Sequence, residues 1–151
     1  MASTGRPTKG MQILGIRMFM CDFGFMPEEE VNPRIAALAE SDRRLDVKTD
    51  VRIVDSEVDP EKPDIAQVAI IVETNGVMKD IVCWSIRVGH QGLFRVAGDG
   101  DVTLDSVLKI HGPAQLYSFA REFVADISRR AEISARGIYV PPWNFQAVSG
   151  E

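Results

Sequence analysis

The chain has 151 residues, a formal net charge of −5, 45% hydrophobic and 26% charged residues. That composition excludes wholesale disorder, and its acidic balance argues against nucleic acid as the main partner. No apolar run reaches the roughly 20 residues of a membrane-spanning helix. The first ten residues, M-A-S-T-G-R-P-T-K-G, lack the apolar stretch of a signal peptide, so a cytoplasmic protein without membrane insertion is expected.

Residues 1–10 read as a mobile arm, residues 11–148 as one domain and residues 149–151 as its C-terminal end. The domain opens on a long strand from Met11 to Met26, expected to bend near Gly24. Its second half, M-F-M-C-D-F-G-F-M-P from Met18 to Pro27, is apolar on both parities. Met18, Met20 and Met26 fall on one side; Phe19, Cys21, Phe23 and Phe25 fall on the other. A half-buried strand should show water one polar face, so something must cover both.

A short helix is expected from Pro33 to Glu40, with Asn32 as N-cap and Pro33 at its first position. Leu45 to Val54 alternates: Leu45, Val47, Thr49, Val51 and Ile53 take one face, and Asp46, Lys48, Asp50 and Arg52 take the other. A third strand, Ile65 to Thr74, is followed by Asn75-Gly76, the favoured pair for a tight hairpin turn. A fourth strand returns from Val77 to Val88. These strands predict an antiparallel meander which the first strand joins, making four.

The A-G-D-G-D stretch at 97–101 reads as a polar turn, followed by a short helical segment around Val102–Ile110. From Gly112-Pro113 the period becomes helical: Leu116, Phe119, Ala120, Phe123, Val124, Ile127 and Ala131 share a stripe, opposite Arg121, Glu122, Asp126, Arg129 and Arg130. This helix is expected to run to about Ala135, with Gly137 as its C-cap. Strands followed by helices indicate an α+β fold with the long amphipathic helix on one sheet face. Val140 to Phe145, V-P-P-W-N-F, then adds two aromatics to an irregular segment.

Catalytic chemistry is not legible. The two histidines, His90 and His111, have no ligands at metal-site spacing. Cys21 and Cys83 are far apart in sequence and read as small buried hydrophobes. Asp99, Asp101, Thr103 and Asp105 mimic the start of a calcium loop, but Leu104 stands where the required glycine belongs and Ile110 where the bidentate Glu belongs. No metal, cofactor or catalytic residue is therefore assigned, and no enzyme is expected. What is unusual is apolar surface, rich in methionine and aromatics that adapt to many partners. It serves either oligomer packing or ligand binding, and the two are compatible.

Three segments, in order, carry a resemblance. They are Gln12–Ile16 running on to Phe25-Met26-Pro27; Val88–Gly98 with its G-L-F-R-V-A-G turn; and Pro113–Glu122, followed by Ser128-Arg129 and Pro142–Phe145. Together they are similar to the SecB family of protein-export chaperones. The resemblance implies a four-stranded antiparallel sheet with long helices, assembled as a homotetramer (a dimer of dimers). It also implies an ATP-independent holdase whose hydrophobic grooves take unfolded, export-competent polypeptides. By position, the client groove is carried over to Met18, Phe19, Met20, Phe23, Phe25, Met26, Val140, Trp143 and Phe145. Leu116, Phe119, Phe123 and Ile127 form the core or oligomer side of the long helix.

Two departures separate this chain from the family's pattern. The sequence stops at Gln146–Glu151 without the acidic tail that contacts the motor SecA, and Arg87 stands where the family's docking sheet carries an acid. Ser85, likewise, replaces an apolar residue. A dedicated-client version, such as a chaperone for the antitoxin of a toxin–antitoxin pair and without SecA docking, is thus the first alternative. A non-chaperone α+β binding or structural oligomer is the second.

Overall fold

A computed structural model describes residues 10–97, 102–131, 137–143 and 145. Residues 1–9 of the expected arm (1–10), most of the polar turn (98–101), the expected last helical turn (132–136), residue 144 and the chain after Phe145 lie outside the described residues.

Four strands form one antiparallel sheet: β1 (Met11–Phe25), β2 (Leu45–Val58), β3 (Ile65–Met78) and β4 (Ile81–Val96). Their order is β1-β4-β3-β2, so the meander β2-β3-β4 receives β1 at its far side and both β1 and β2 are edges. The expected four-stranded sheet is therefore present, with each meander strand longer than its sequence pattern suggested. Helix α1 (Glu28–Ala36) links β1 to β2.

A helical turn α2 (Leu104–Ser106), a wide π segment (Val107–His111) and helix α3 (Gly112–Arg130) follow one another after β4. Thr103 starts the run: its hydroxyl accepts from the Ser106 amide at 3.1 Å, while Ser106 Oγ accepts from the Thr103 amide at 2.9 Å. Pro113 has no amide hydrogen to give and its ring crowds the preceding turn, so the helix widens just before it. Gly112 lets α3 sit close to the sheet. A Cβ there would lie 2.5 Å from the Val107 carbonyl oxygen and 3.0 Å from Val68.

The core lies between α3 and one face of β3 and β4. Val68, Ile70, Val72, Ile86, Val88 and Phe94 are fully buried from the sheet, and Leu116, Ala120 and Val124 from the helix. All six sheet residues have even numbers, as a period of two demands. Their β2 partners Val51 and Ile53 lie on the same face, so the alternation predicted for Leu45–Val54 holds.

Several local expectations are corrected. Helix α1 begins after Pro27, not at Pro33: the Glu30 and Val31 amides donate to the Pro27 carbonyl at 3.0 and 3.1 Å, and Pro33 lies inside the helix. Three acids, Glu28, Glu29 and Glu30, sit in its first turn, where the helix dipole favours negative charge. The β3–β4 turn is at Lys79-Asp80, with Lys79 at φ 60°, and Asn75-Gly76 continues the strand. A two-residue turn at 75–76 would change the register by an odd number and set buried Ile70 and Val72 on the face of Arg87 and Arg95. The hydrophobic pattern forbids that. Strand β1 keeps its register through Gly24 and has its irregularities instead between Ile13 and Gly15 and between Met18 and Met20.

Helix α3 ends at Arg130, with the Ala131 amide donating to the Ile127 carbonyl at 2.9 Å. Gly137 is not its C-cap. It adopts φ +84°, and a Cβ there would meet the Ala125 carbonyl and the Arg129 guanidinium at 2.8 Å. It returns the chain along α3.

Candidate binding groove

The two irregularities in β1 decide where its apolar side chains point. Cross-strand partners share a sheet face. Met18 pairs with His90, Cys21 with Val88, Phe23 with Ile86 and Phe25 with Trp84, and all four partners face the helix. Met20 pairs with Gly89 on the opposite, uncovered face. The Phe19 ring lies over Gly89 as well, since a Cβ on that glycine would stand 2.6 Å from it. One extra residue thus places Phe19 and Met20 together on the open face and returns Cys21, Phe23 and Phe25 to the Met18 side. The two parities of the sequence are not the two faces of the strand.

On the helix side, α3 covers β3 and β4 but leaves β1 partly bare. A cleft of about 430 Å³ is lined by His90 from β4 and by Phe119, Glu122, Phe123, Asp126 and Arg129 from α3. Met18, next to His90 in the register, is 38% exposed; Phe119 is 44% exposed and Phe25 58%. The Phe23 and Phe25 rings meet edge to face at 5.3 Å. Beside this cleft the outer edge of β1 has no strand partner among the described residues, so backbone groups and apolar side chains are offered together.

His90 forms the floor. It is 5% exposed and its ring centroid lies 6.5 Å from that of Phe119. Its Nδ1 is sealed in and has no hydrogen-bond partner among the described residues. Burial holds its pKa below the ordinary histidine value. Across the cleft, Asp126 is bound to Arg129 at 3.5 Å and to Arg130 at 3.0 Å.

The open sheet face differs. Arg17 donates through both Nε and Nη2 to Gln91 Oε1, at 3.1 and 2.9 Å, beside a cavity of about 400 Å³ that Gly15 and Leu93 help to line. Arg87 pairs with Glu73 at 3.0 Å. The Glu73 carboxyl is held below its ordinary value, first by a hydrogen bond from Asn75 and then by Arg87, against opposing desolvation. Phe19 and Leu93 give this face exposed apolar area among the charges.

The C-terminal segment contributes packing and not an open surface. Val140 is 2% exposed and Phe145 4%, and Trp143 packs against the same core. Tyr117 holds the segment by donating its hydroxyl to the Pro141 carbonyl, and its ring meets Phe145 edge to face at 5.8 Å. Arg121 Nε donates to the Val140 carbonyl at 2.7 Å, and the Ile138 amide donates to Ser128 Oγ at 2.8 Å. Of the residues assigned to a groove by resemblance, the structure brings Met18, Phe23 and Phe25 together on the cleft side. It puts Phe19 and Met20 on the open face, Met26 just past the strand end, and Val140, Trp143 and Phe145 against the core. Along α3, Leu116 is fully buried and Phe119 projects into the cleft, while Phe123 and Ile127 are half-buried. Metal-ligand spacing in the sequence does not single out His90. Its even position in β4, in step with Val88 and Phe94, was the signal that it faces the helix.

An edge-open sheet, a helix on one face and apolar side chains left beside it place an unpaired strand edge and exposed apolar area side by side. No helix among the described residues is long and apolar enough to cross a membrane. The chain belongs to the SecB family: the family model described as preprotein translocase subunit SecB matches residues 10–149. It is similar to the protein-export protein SecB of Parvibaculum lavamentivorans, 33% identical over 63 residues that cover 42% of this chain and 38% of that one. The corresponding protein of Acidithiobacillus ferrooxidans is 27% identical over 84 residues, 56% of this chain and 55% of its own. The match thus spans about half, or less, of the length of these relatives. In fold the chain is similar to a SecB-like chaperone of Mycobacterium tuberculosis, solved in complex with a ChAD peptide from the HigA1 antitoxin. The TM-score is 0.62 at 15% identity, covering 89% of this chain and 88% of that one.

Proposed function

We propose that this protein is an ATP-independent holdase that binds unfolded polypeptides in the cleft between β4 and α3 and along the adjoining face and free edge of β1. The observation that carries this reading is the exposure of Met18, Phe25 and Phe119 beside an unpaired strand edge. An extended, non-native segment offers apolar side chains of no fixed sequence together with unpaired backbone groups, and this surface answers both. Cytoplasmic action as a homotetramer, without cofactor or catalytic step, belongs to the same reading. Nothing in the cleft suggests an activated nucleophile or a convergent acid–base pair.

Within that reading, a dedicated client such as an antitoxin competes with general export. The Arg87–Glu73 pair favours the dedicated version, because it puts a neutralised ion pair on the open face where the resemblance implies an acidic SecA-docking patch. The antitoxin peptide bound to the similar mycobacterial chaperone makes this class of client the first to try.

The test is suppression of aggregation of a chemically unfolded protein without nucleotide, by wild type and by Met18→Ser with Phe25→Ser. Wild type should suppress aggregation and the double variant, whose changes lie at exposed positions, should stay folded and lose most of that effect. A folded wild type that leaves aggregation untouched would refute the reading. Binding to purified SecA separates the export version from the dedicated one, and native mass spectrometry tests the tetramer.

A further inference from the structure

The floor of the cleft carries a group that client binding does not require. His90 stands in the centre of β4, paired with Met18 on one side and Ile70 on the other, under the exposed Phe119. Neither neighbouring strand turns a charge toward it on this face: Arg17 and Asp22 of β1, and Glu73 of β3, lie on the open side. Helix α3 supplies Glu122, Asp126 and Arg129 to the same cleft. Asp126 is already engaged by Arg129 and Arg130. Glu122 has no ion-pair partner among the described residues and is exposed, which leaves it as the carboxylate open to a new cation.

We propose that His90 is an acid-operated latch for α3: on taking a second proton, its imidazole leaves the buried seat for the carboxylate of Glu122, and the Phe119 side of the helix lifts from the sheet. The neutral ring fits the seat because it is mostly hydrocarbon and its sealed Nδ1, which has no partner among the described residues, can stay unprotonated. An imidazolium there would carry a buried charge and an N–H with no acceptor, which the low-dielectric floor does not tolerate. Moving outward gives the cation both water and a carboxylate. The lifted helix uncovers Phe119, Phe123 and the β1 side chains, so acidification widens the apolar surface.

The sign follows from burial, which holds the folded-state pKa below the unfolded value. The closed form keeps its full stability above about pH 6.5. It loses that advantage as the pH falls through the lowered folded value.

The full chain is tested by binding of the apolar dye ANS, together with hydrogen exchange in α3, between about pH 7.5 and about pH 5. Only two histidines occur in the chain, so His111→Gln serves as the control. Wild type and His111→Gln should show dye emission rising roughly threefold, with a midpoint below about 6.5 and faster exchange at 119–126. His90→Phe should be flat over the window. Glu122→Gln, altered at an exposed position and therefore expected to fold, should move the midpoint to lower pH, because the cation loses its acceptor. A flat wild type, an unchanged response in His90→Phe, or an unmoved midpoint in Glu122→Gln would each overturn the latch. None of these readouts involves a client, so the latch stands or falls separately from the holdase reading.

Discussion

Replacing Gly76 by Ala distinguishes two accounts of the same dipeptide. As part of a tight Asn75-Gly76 turn, the glycine would serve a positive φ, and its loss would cost about 1 kcal/mol wherever Trp84 points. In the structure Gly76 is inside β3, opposite Trp84. A Cβ at that position would lie 2.2 Å from Trp84 Nε1, 2.3 Å from Cε2 and 2.8 Å from Cζ2. Ordinary carbon contacts are about 3.5–4.0 Å, so the indole must move by more than an ångström. Trp84 is 4% exposed, so the ring moves only by displacing buried neighbours. Such overpacking costs roughly 1–3 kcal/mol, and the upper end fits a ring gripped on all sides. For a chain of this size that lowers Tm by roughly 6–10 °C at fixed protein concentration. The assay is urea unfolding followed by far-UV circular dichroism for wild type, Gly76→Ala, Trp84→Leu and the double variant. The indole clash predicts that Gly76→Ala costs much less in the Trp84→Leu background, with a coupling of about 1–2 kcal/mol. Strictly additive costs would refute the reasoning.

Three further outcomes follow from the packing. Leu116→Ala removes a fully buried side chain whose Cδ2 lies only 3.0 Å from where a Gly92 Cβ would be; it should cost about 2–5 kcal/mol by the same denaturation assay. Arg121→Ala removes the 2.7 Å hydrogen bond to the Val140 carbonyl and should raise hydrogen exchange and protease cutting at 137–143 while leaving exchange in β3 and β4 unchanged. Glu73, held below its ordinary pKa first by Asn75 and then by Arg87, contributes stability above about pH 4.5 that is lost as the pH falls through its lowered folded value. Arg87→Ala should raise the Glu73 pKa measured by NMR, and an unmoved titration would remove Arg87 as a cause.

The β2–β3–β4 alternation and the Leu116–Ile127 stripe were legible because each is a one-dimensional period that burial enforces directly. The order of segments similar to SecB added the family. The cleft was legible only in part. Methionine and phenylalanine between Met18 and Met26 announced apolar surface, but the extra residue at Phe19 reversed the parity on which face assignments rest. Val140 and Phe145 lie in a segment without a period, yet Tyr117, Arg121 and Ser128 anchor the backbone of 138–141 along α3 and both side chains are buried in the core. Those anchors come from residues ten to twenty-four positions away, beyond any local pattern.

By itself the sequence determined the periods: which residues alternate in the meander, which form the stripe of α3, and that the Met18–Met26 stretch is apolar on both parities. Only the tertiary structure decided register. It moved the hairpin from Asn75-Gly76 to Lys79-Asp80, swung Phe19 and Met20 to the open face, and set His90 under Phe119. Local propensities act over a few residues, whereas register is fixed by the whole buried face of β3 and β4 against α3. A shift by one residue there would turn every core side chain toward water.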